Sequence, residues 1–216
     1  QVANKNIEVP NNMGQIVSNI QNIAMSMRMI SIKSTFMKMI RLVRDLSLKS
    51  GKQVSLIMEG EDTEIDRNAV DALYEPMVHM IRNSVDHGIE SASERIGKGK
   101  LEQGTIFLRA YHKGDSIIIE IEDNGKGLDR ERILEKAISK GMIDKNATLT
   151  ASQAFDLIMQ PGFSTAQTIT EISGRGVGMD VVKEGIEKFR GNLDITSEVD
   201  KFSKFTISLP LTLSII

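Results

Sequence analysis

His79-Met80-Ile81-Arg82-Asn83-Ser84-Val85-Asp86-His87-Gly88 is the stretch on which the fold of this chain turns. Spacings of three and four put His79, Asn83, Asp86 and His87 on one stripe of a helix. Met77, Val78, Met80, Ile81 and Val85 fill the other faces. A polar stripe on an otherwise apolar helix points to a helix that faces a ligand. An Asn oxygen is a hard, neutral donor suited to Mg2+, an ion that keeps waters and shares its ligands with phosphates. A solvated face with a capping His is the plainer alternative, and the helix alone does not choose between them.

Two other segments carry related chemistry. Asp123-Asn124-Gly125-Lys126-Gly127 follows a strand pattern. A carboxylate at a strand end, then Gly-x-Gly, suits a buried acceptor beside a backbone that approaches a flat ligand closely. The same residues also make an ordinary turn. Gly174-Arg175-Gly176-Val177-Gly178 opens a helical pattern from Val177 to Phe189. Glycines at a helix N-terminus offer backbone N–H groups to a phosphate. No strand precedes them, which disfavours a dinucleotide-binding motif, and no Gly-Lys-Ser/Thr follows, which excludes a Walker-A loop. The polar stretch from Phe163 through Ser173 has the length of a lid.

Elsewhere the pattern predicts an extended arm to Pro10, a helix over Met13–Met29 and a helix with Phe36, Met39, Ile40, Val43 and Leu46 on its buried face, stopped by Gly51. Lys52–Glu59 reads as a strand. Asp66 caps a helix through Leu73, and Pro76 starts another running to about Asp86. Thr105–His112 and Ser116–Glu122 read as a hairpin, and Leu193–Ser197 with Lys204–Leu209 as a second. Arg130–Lys140 and Ala151–Met159 are helical. Strand pairs separated by helices give an α+β chain folded as a two-layer α/β sandwich.

Composition narrows the function. With 216 residues, 40% of them hydrophobic, the chain buries a core without staples. No Cys means no disulfide, thiolate nucleophile or zinc finger, and three His cannot furnish a rich metal cluster. A net charge of −2 and 4% aromatics argue against a nucleic-acid binder. No stretch reaches the roughly 18 apolar residues of a membrane span. The chain starts at Gln1 rather than Met, so a piece of something longer is expected, in a cytoplasmic setting.

A metal ligand, a buried acceptor, a lid and a glycine nest, in that order, match the ATP site of the histidine-kinase, Hsp90, gyrase and MutL type of ATPase. From Met27 to Ile216 the chain resembles the CheA family of chemotaxis histidine kinases. The resemblance is carried by Glu59–Glu64, His79–Glu90, Pro161–Thr165, Ser173–Lys183 and Leu209–Leu213.

That resemblance implies residues 1–30 as the end of a dimerisation helix with its linker, and residues 31–216 as an ATP-binding histidine kinase catalytic domain. ATP and Mg2+ would be the cofactors. Carried over by position, Asn83 would hold Mg2+, Asp123 would accept the adenine amino group, and Gly125 and Gly127 would flank the base. Gly174, Gly176, Val177 and Gly178 would hold phosphate oxygens, with Arg132 and Lys136 adding positive charge. Asp86, Ser164 and Thr165 complete the expected nucleotide contacts, and the Ser203 hydroxyl would support Asp123. His79 would steer or accept a proton in phosphoryl transfer, with His87 near the phosphates.

The implied phosphoacceptor is a His on a separate phosphotransfer domain, so this chain would bind ATP without phosphorylating itself. Other implied partners are response regulators through that domain, and a coupling protein and chemoreceptors through domains absent here. Nucleic acid and membrane insertion are not expected. The full-length protein would be a homodimer and this stretch a monomer. A nucleotide-binding scaffold of receptor arrays, with little kinase activity, is the alternative. Three departures from the family pattern stand out. Ser31 replaces a Pro, so a helix could run through the usual hinge. Thr168 replaces a lid Lys or Gln. Phe202 replaces a Gly, and its backbone must avoid positive φ.

Overall fold

The structure, a computed structural model, describes residues 9–164 and 178–211. Helix α1 (Val9–Ser26) is followed by β1 (Met29–Ser31), α2 (Lys33–Ser50), β2 (Val54–Glu59), β3 (Glu64–Asp66) and α3 (Arg67–Asn83). A π-turn over Ser84–Gly88 extends α3. Then come α4 (Ala92–Gly97), β4 (Gly104–Lys113), β5 (Ser116–Asp123), α5 (Arg130–Ser139), α6 (Ala151–Asp156), α7 (Met179–Glu187), β6 (Asn192–Glu198) and β7 (Phe202–Pro210).

Five strands form one sheet in the order β2-β4-β5-β7-β6. β2 and β4 pair in parallel, and the other neighbours are antiparallel. Ile106, Leu108, Ile119, Ile121 and Ile207 are fully buried, whereas Thr105, Arg109, Glu120 and Glu122 on the alternate positions are not. That alternation is the sign of a sheet covered on one face. The cover is helical: α3 packs against α2, α7 and β5, and α2 lies against β2. Phe36, Met39, Leu73, Met77 and Met80 join the strand residues in one core.

The predicted helix at the N-terminus differs in its limits. Val9 and Pro10, expected in an extended arm, already belong to α1, and the helix ends before Met29. No helix runs through Ser31, because Met29–Ser31 pairs antiparallel with Glu64–Asp66. Ser31 Oγ donates to the Glu61 carbonyl at 2.8 Å, and the Ile32 amide donates to the Thr63 carbonyl at 3.0 Å. These bonds give the backbone around Ile32, a wholly buried residue, partners on the Glu61–Asp66 segment instead of within a helix. The expected boundary between residues 30 and 31 therefore falls inside β1.

Pro76 does not divide α3 either. A proline inside a helix costs about 3 kcal/mol. Burial of Leu73, Met77, Met80 and Ile81 on the same helix offsets it, at about 1.5–3 kcal/mol for each large side chain. Asp66 caps α3 as predicted, accepting from the Asn68 amide at 2.9 Å.

Candidate functional site

Alternation along β5 turns Asp123 inward, where it is 1% exposed. The Gly125 amide donates to Asp123 Oδ1 at 3.0 Å. Burial pushes the Asp123 carboxyl up to about 6. The Gly125 amide, the nearby Ser84 hydroxyl and Lys100 pull it down, and the negative charge of Glu90 pushes it up.

The π-turn and the Asp123–Gly127 loop interlock. A Cβ on Gly125 would lie 2.1 Å from the Gly88 carbonyl oxygen, and the Lys126 amide donates to that same oxygen at 2.9 Å. The extra residue of a π-turn re-aims the side chains around it, and such turns concentrate at functional sites. Lys52 secures this one from behind, donating to the carbonyls of Val85 and Asp86 at 2.7 and 2.9 Å. Burial lowers the Lys52 pKa, with Lys126 adding to the effect and Asp86 opposing it.

A cavity of about 600 Å3 opens between these segments. This is the size of a cofactor pocket. From α3 and the π-turn, His79, Asn83, Asp86 and His87 all line it, so the helical stripe read from spacing is a real surface. Asp123 and Gly127 contribute from the loop, Lys136 from α5, Ser203 and Phe205 from β7. Phe163, Ser164, Gly178 and Met179 also line it.

Burial and the neighbouring Arg82 hold His79 below the ordinary imidazole value, against Asp180. Asn83 Nδ2 donates to Met179 Sδ at 3.6 Å. The Lys136 ammonium stands 4.7 Å from the centre of the Phe163 ring. The Ser84 hydroxyl is buried in the cavity wall and finds no partner at full hydrogen-bond geometry among the described residues.

Other expected residues are placed differently. Gly125 supports the loop from behind rather than lining the cavity. Arg132 does not line it: the side chain is 86% exposed and pairs with Asp129 at 3.5 Å. Ser203 stands opposite Asp123 across the β5–β7 register, but its hydroxyl lies 3.4 Å from Ser197 Oγ. Phe202 is an ordinary strand residue; in that turn the positive φ belongs to Asp200. Thr165, Thr168, Gly174, Gly176 and Val177 lie outside the described residues, as does most of the expected lid. Ser84, Lys126 and Phe163 sit in the quoted runs without a role assigned there, because a hydroxyl or a ring shows its direction only after folding.

The buried acceptor suits a hydrogen-bonding base. The Asn83 carboxamide, Lys136 and the start of α7 suit phosphates. A family model described as histidine kinase-, DNA gyrase B- and HSP90-like ATPase matches residues 72–213. The chain belongs to that family.

Among curated proteins it is similar to the chemotaxis protein CheA of Bacillus subtilis (strain 168), 46% identical over 215 residues. It is similarly close to the chemotaxis protein CheA of Treponema pallidum (strain Nichols), 46% identical over 205 residues. These alignments cover 99% and 95% of this chain but only 32% and 25% of the relatives. Among solved structures, the catalytic domain of histidine kinase ThkA matches with a TM-score of 0.51 at 14% identity, over 86% of this chain and 95% of that one. At that identity the likeness speaks for the fold alone.

Proposed function

We propose that this chain is the ATP-binding catalytic domain of a CheA-like histidine kinase, passing the γ-phosphate of ATP to a His on a separate phosphotransfer domain. The observation that carries this reading is the single cavity joining buried Asp123 to Asn83, His79, Lys136 and the N-terminus of α7. Asp123 accepts from the exocyclic amine of adenine, with Gly127 in the cavity wall beside it. Lys136 and the backbone at Gly178 face the phosphates.

The residues present suit Mg2+ as well. Among the described residues no group of three His, Cys, Asp or Glu forms a metal cage, and Asn83, whose carboxamide carries a neutral oxygen, lines the cavity. Such a site holds an ion whose other ligands are phosphates and water. Mg2+ bound there would neutralise phosphate charge. His79 would accept or steer a proton. An acceptor imidazole is nucleophilic near pH 7, so the protein's task is positioning and charge neutralisation.

In the longer protein this reading implies, α1 closes a dimerisation helix, and the kinase domain starts with β1 rather than at residue 31, because Met29–Ser31 pairs with Glu64–Asp66. Receptor and coupling-protein contacts lie on other domains, and response regulators are reached through the phosphotransfer domain in a cytoplasmic phosphorelay. Among the described residues no helix is long and apolar enough to cross a membrane. The test is transfer of radiolabelled γ-phosphate to a supplied phosphotransfer domain, comparing the chain with Asn83→Ala. Fast transfer by the native chain and loss in the variant support the reading. ATP binding with transfer no faster than the variant's makes the chain a nucleotide-binding scaffold.

A further inference from the structure

We propose that Lys100 and Arg95, gathered by the buried carboxylate of Glu90, are positioning residues that hold the Asp123–Gly127 loop and thereby set which base the cavity accepts. The proposal rests on the nucleotide-binding reading above and assigns it a determinant outside the cavity wall.

Glu90 and Arg95 side chains are 3% and 2% exposed, which is rare for charged residues and demands partners. Glu90 takes Arg95 Nη1 at 2.9 Å on one oxygen and Lys100 Nζ at 2.7 Å on the other. Lys98 approaches the second oxygen at 3.7 Å and also pairs with Asp200. One carboxylate does not use all the donors of the buried Arg95 and the partly buried Lys100. The remainder go to backbone oxygens of the loop. Arg95 Nη1 donates to the Asn124 carbonyl at 3.0 Å, and Lys100 Nζ donates to the Asn124 and Gly125 carbonyls at 3.3 and 2.7 Å. Arg95 Nε donates to the Leu101 carbonyl at 2.7 Å, tying the segment after α4 into the same cluster.

The Asn124 and Gly125 carbonyls are thus held by fixed charges on a segment that does not line the cavity. With the Gly125 carbonyl anchored, its amide meets Asp123 Oδ1 and orients the carboxyl. The Gly88 carbonyl, 2.9 Å from the Lys126 amide, holds the loop from the other side. A carboxylate so placed accepts from an exocyclic amine, as on adenine, and repels a carbonyl oxygen, as at the same edge of guanine. Loss of the clamp lets the loop drift, and a small misplacement of one acceptor erodes discrimination between bases more than it erodes phosphate binding.

The test is calorimetric titration of the chain with Mg-ATP and Mg-GTP, for the native protein, Lys100→Met, Lys100→Arg and the surface control Lys188→Met. The native protein and Lys188→Met should prefer ATP. Lys100→Met should lose about tenfold in the ATP-to-GTP preference, a factor that corresponds to about 1.4 kcal/mol. Lys100→Arg, which keeps the charge, should recover most of it. Partial unfolding weakens both nucleotides by one factor and leaves the ratio untouched, so the ratio separates positioning from stability. An unchanged ratio in Lys100→Met overturns the clamp and leaves the site reading standing. A native chain that binds neither nucleotide overturns the site reading and the clamp together.

Discussion

Gly88 lies so close to Asp123 that a Cβ built on it would stand 2.9 Å from the carboxylate oxygen Oδ2. The π-turn and the end of β5 therefore meet through a bare backbone at one side and a nearly fully buried carboxyl at the other. Gly88→Ala should force that carboxyl aside. We expect a loss of about 1–3 kcal/mol in folding stability from overpacking. Gly125→Ala should be worse, because there the obstacle is the Gly88 carbonyl rather than a side chain. Urea denaturation of both variants beside the native chain measures the order; equal stability of all three would be inconsistent with the packing described.

Asp123→Asn should separate stability from binding. The folded-state pKa is raised from 3.8 to about 6, so the native fold holds the proton more tightly than the unfolded chain. The stability this group supplies is present below its ordinary pKa and lost as pH rises through about 6. Above pH 6 the amide variant escapes that loss and should be more stable by about 1–3 kcal/mol. It should also lose nucleotide binding, since the amide oxygen lacks the full charge that attracts the base amine. A variant that melts earlier than the native chain at pH 7.5 would contradict the burial argument.

Nucleotide affinity should itself depend on pH. Asp123 accepts from an amine more strongly as the carboxylate than as the acid, so ATP should bind best above pH 7 and progressively less well below pH 6. Titrations from pH 5 to 8 with Mg-ATP give the profile. Affinity that is flat across that range would exclude Asp123 as the titrating acceptor.

Helix α1 should matter little to the stability of the rest. Ile16, Ile20 and Ile23 are each more than half exposed, whereas Ile32, a few residues later, is fully buried. Ile20→Glu should change the melting midpoint by less than about 0.5 kcal/mol equivalent, and Ile32→Ala should remove about 2–5 kcal/mol. Differential scanning calorimetry of the two variants tests this; a large loss in Ile20→Glu would mean that α1 packs on a partner in solution.

Much of the fold is legible in the residues because the signals are local. The alternation through Ile117, Ile119 and Ile121, the Asp66 cap and the apolar face from Phe36 to Leu46 each fall within a few residues; β5 forms near its predicted limits, α2 stops at Gly51 as expected, and Asp66 caps α3. Pro76 and Ser31 misled for one reason: their local preferences were outweighed by contacts from distant segments. Pro76 is kept in α3 by the core around it, and Ser31 is drawn into a strand by Glu64–Asp66.

The site divides in the same way. By itself the sequence determined that His79, Asn83, Asp86 and His87 share one helical face, because a spacing of three or four residues is a property of the helix. It put Asp123 at the end of a strand pattern but left a buried acceptor and an ordinary turn both open. Only the tertiary structure decided that these groups meet at one cavity, that Arg132 stays outside it, and that Arg95, Lys100 and Lys52 hold its backbone in place. Those contacts join residues tens of positions apart, and a hydrogen bond to a backbone carbonyl leaves no mark on the identity of the residue that supplies it.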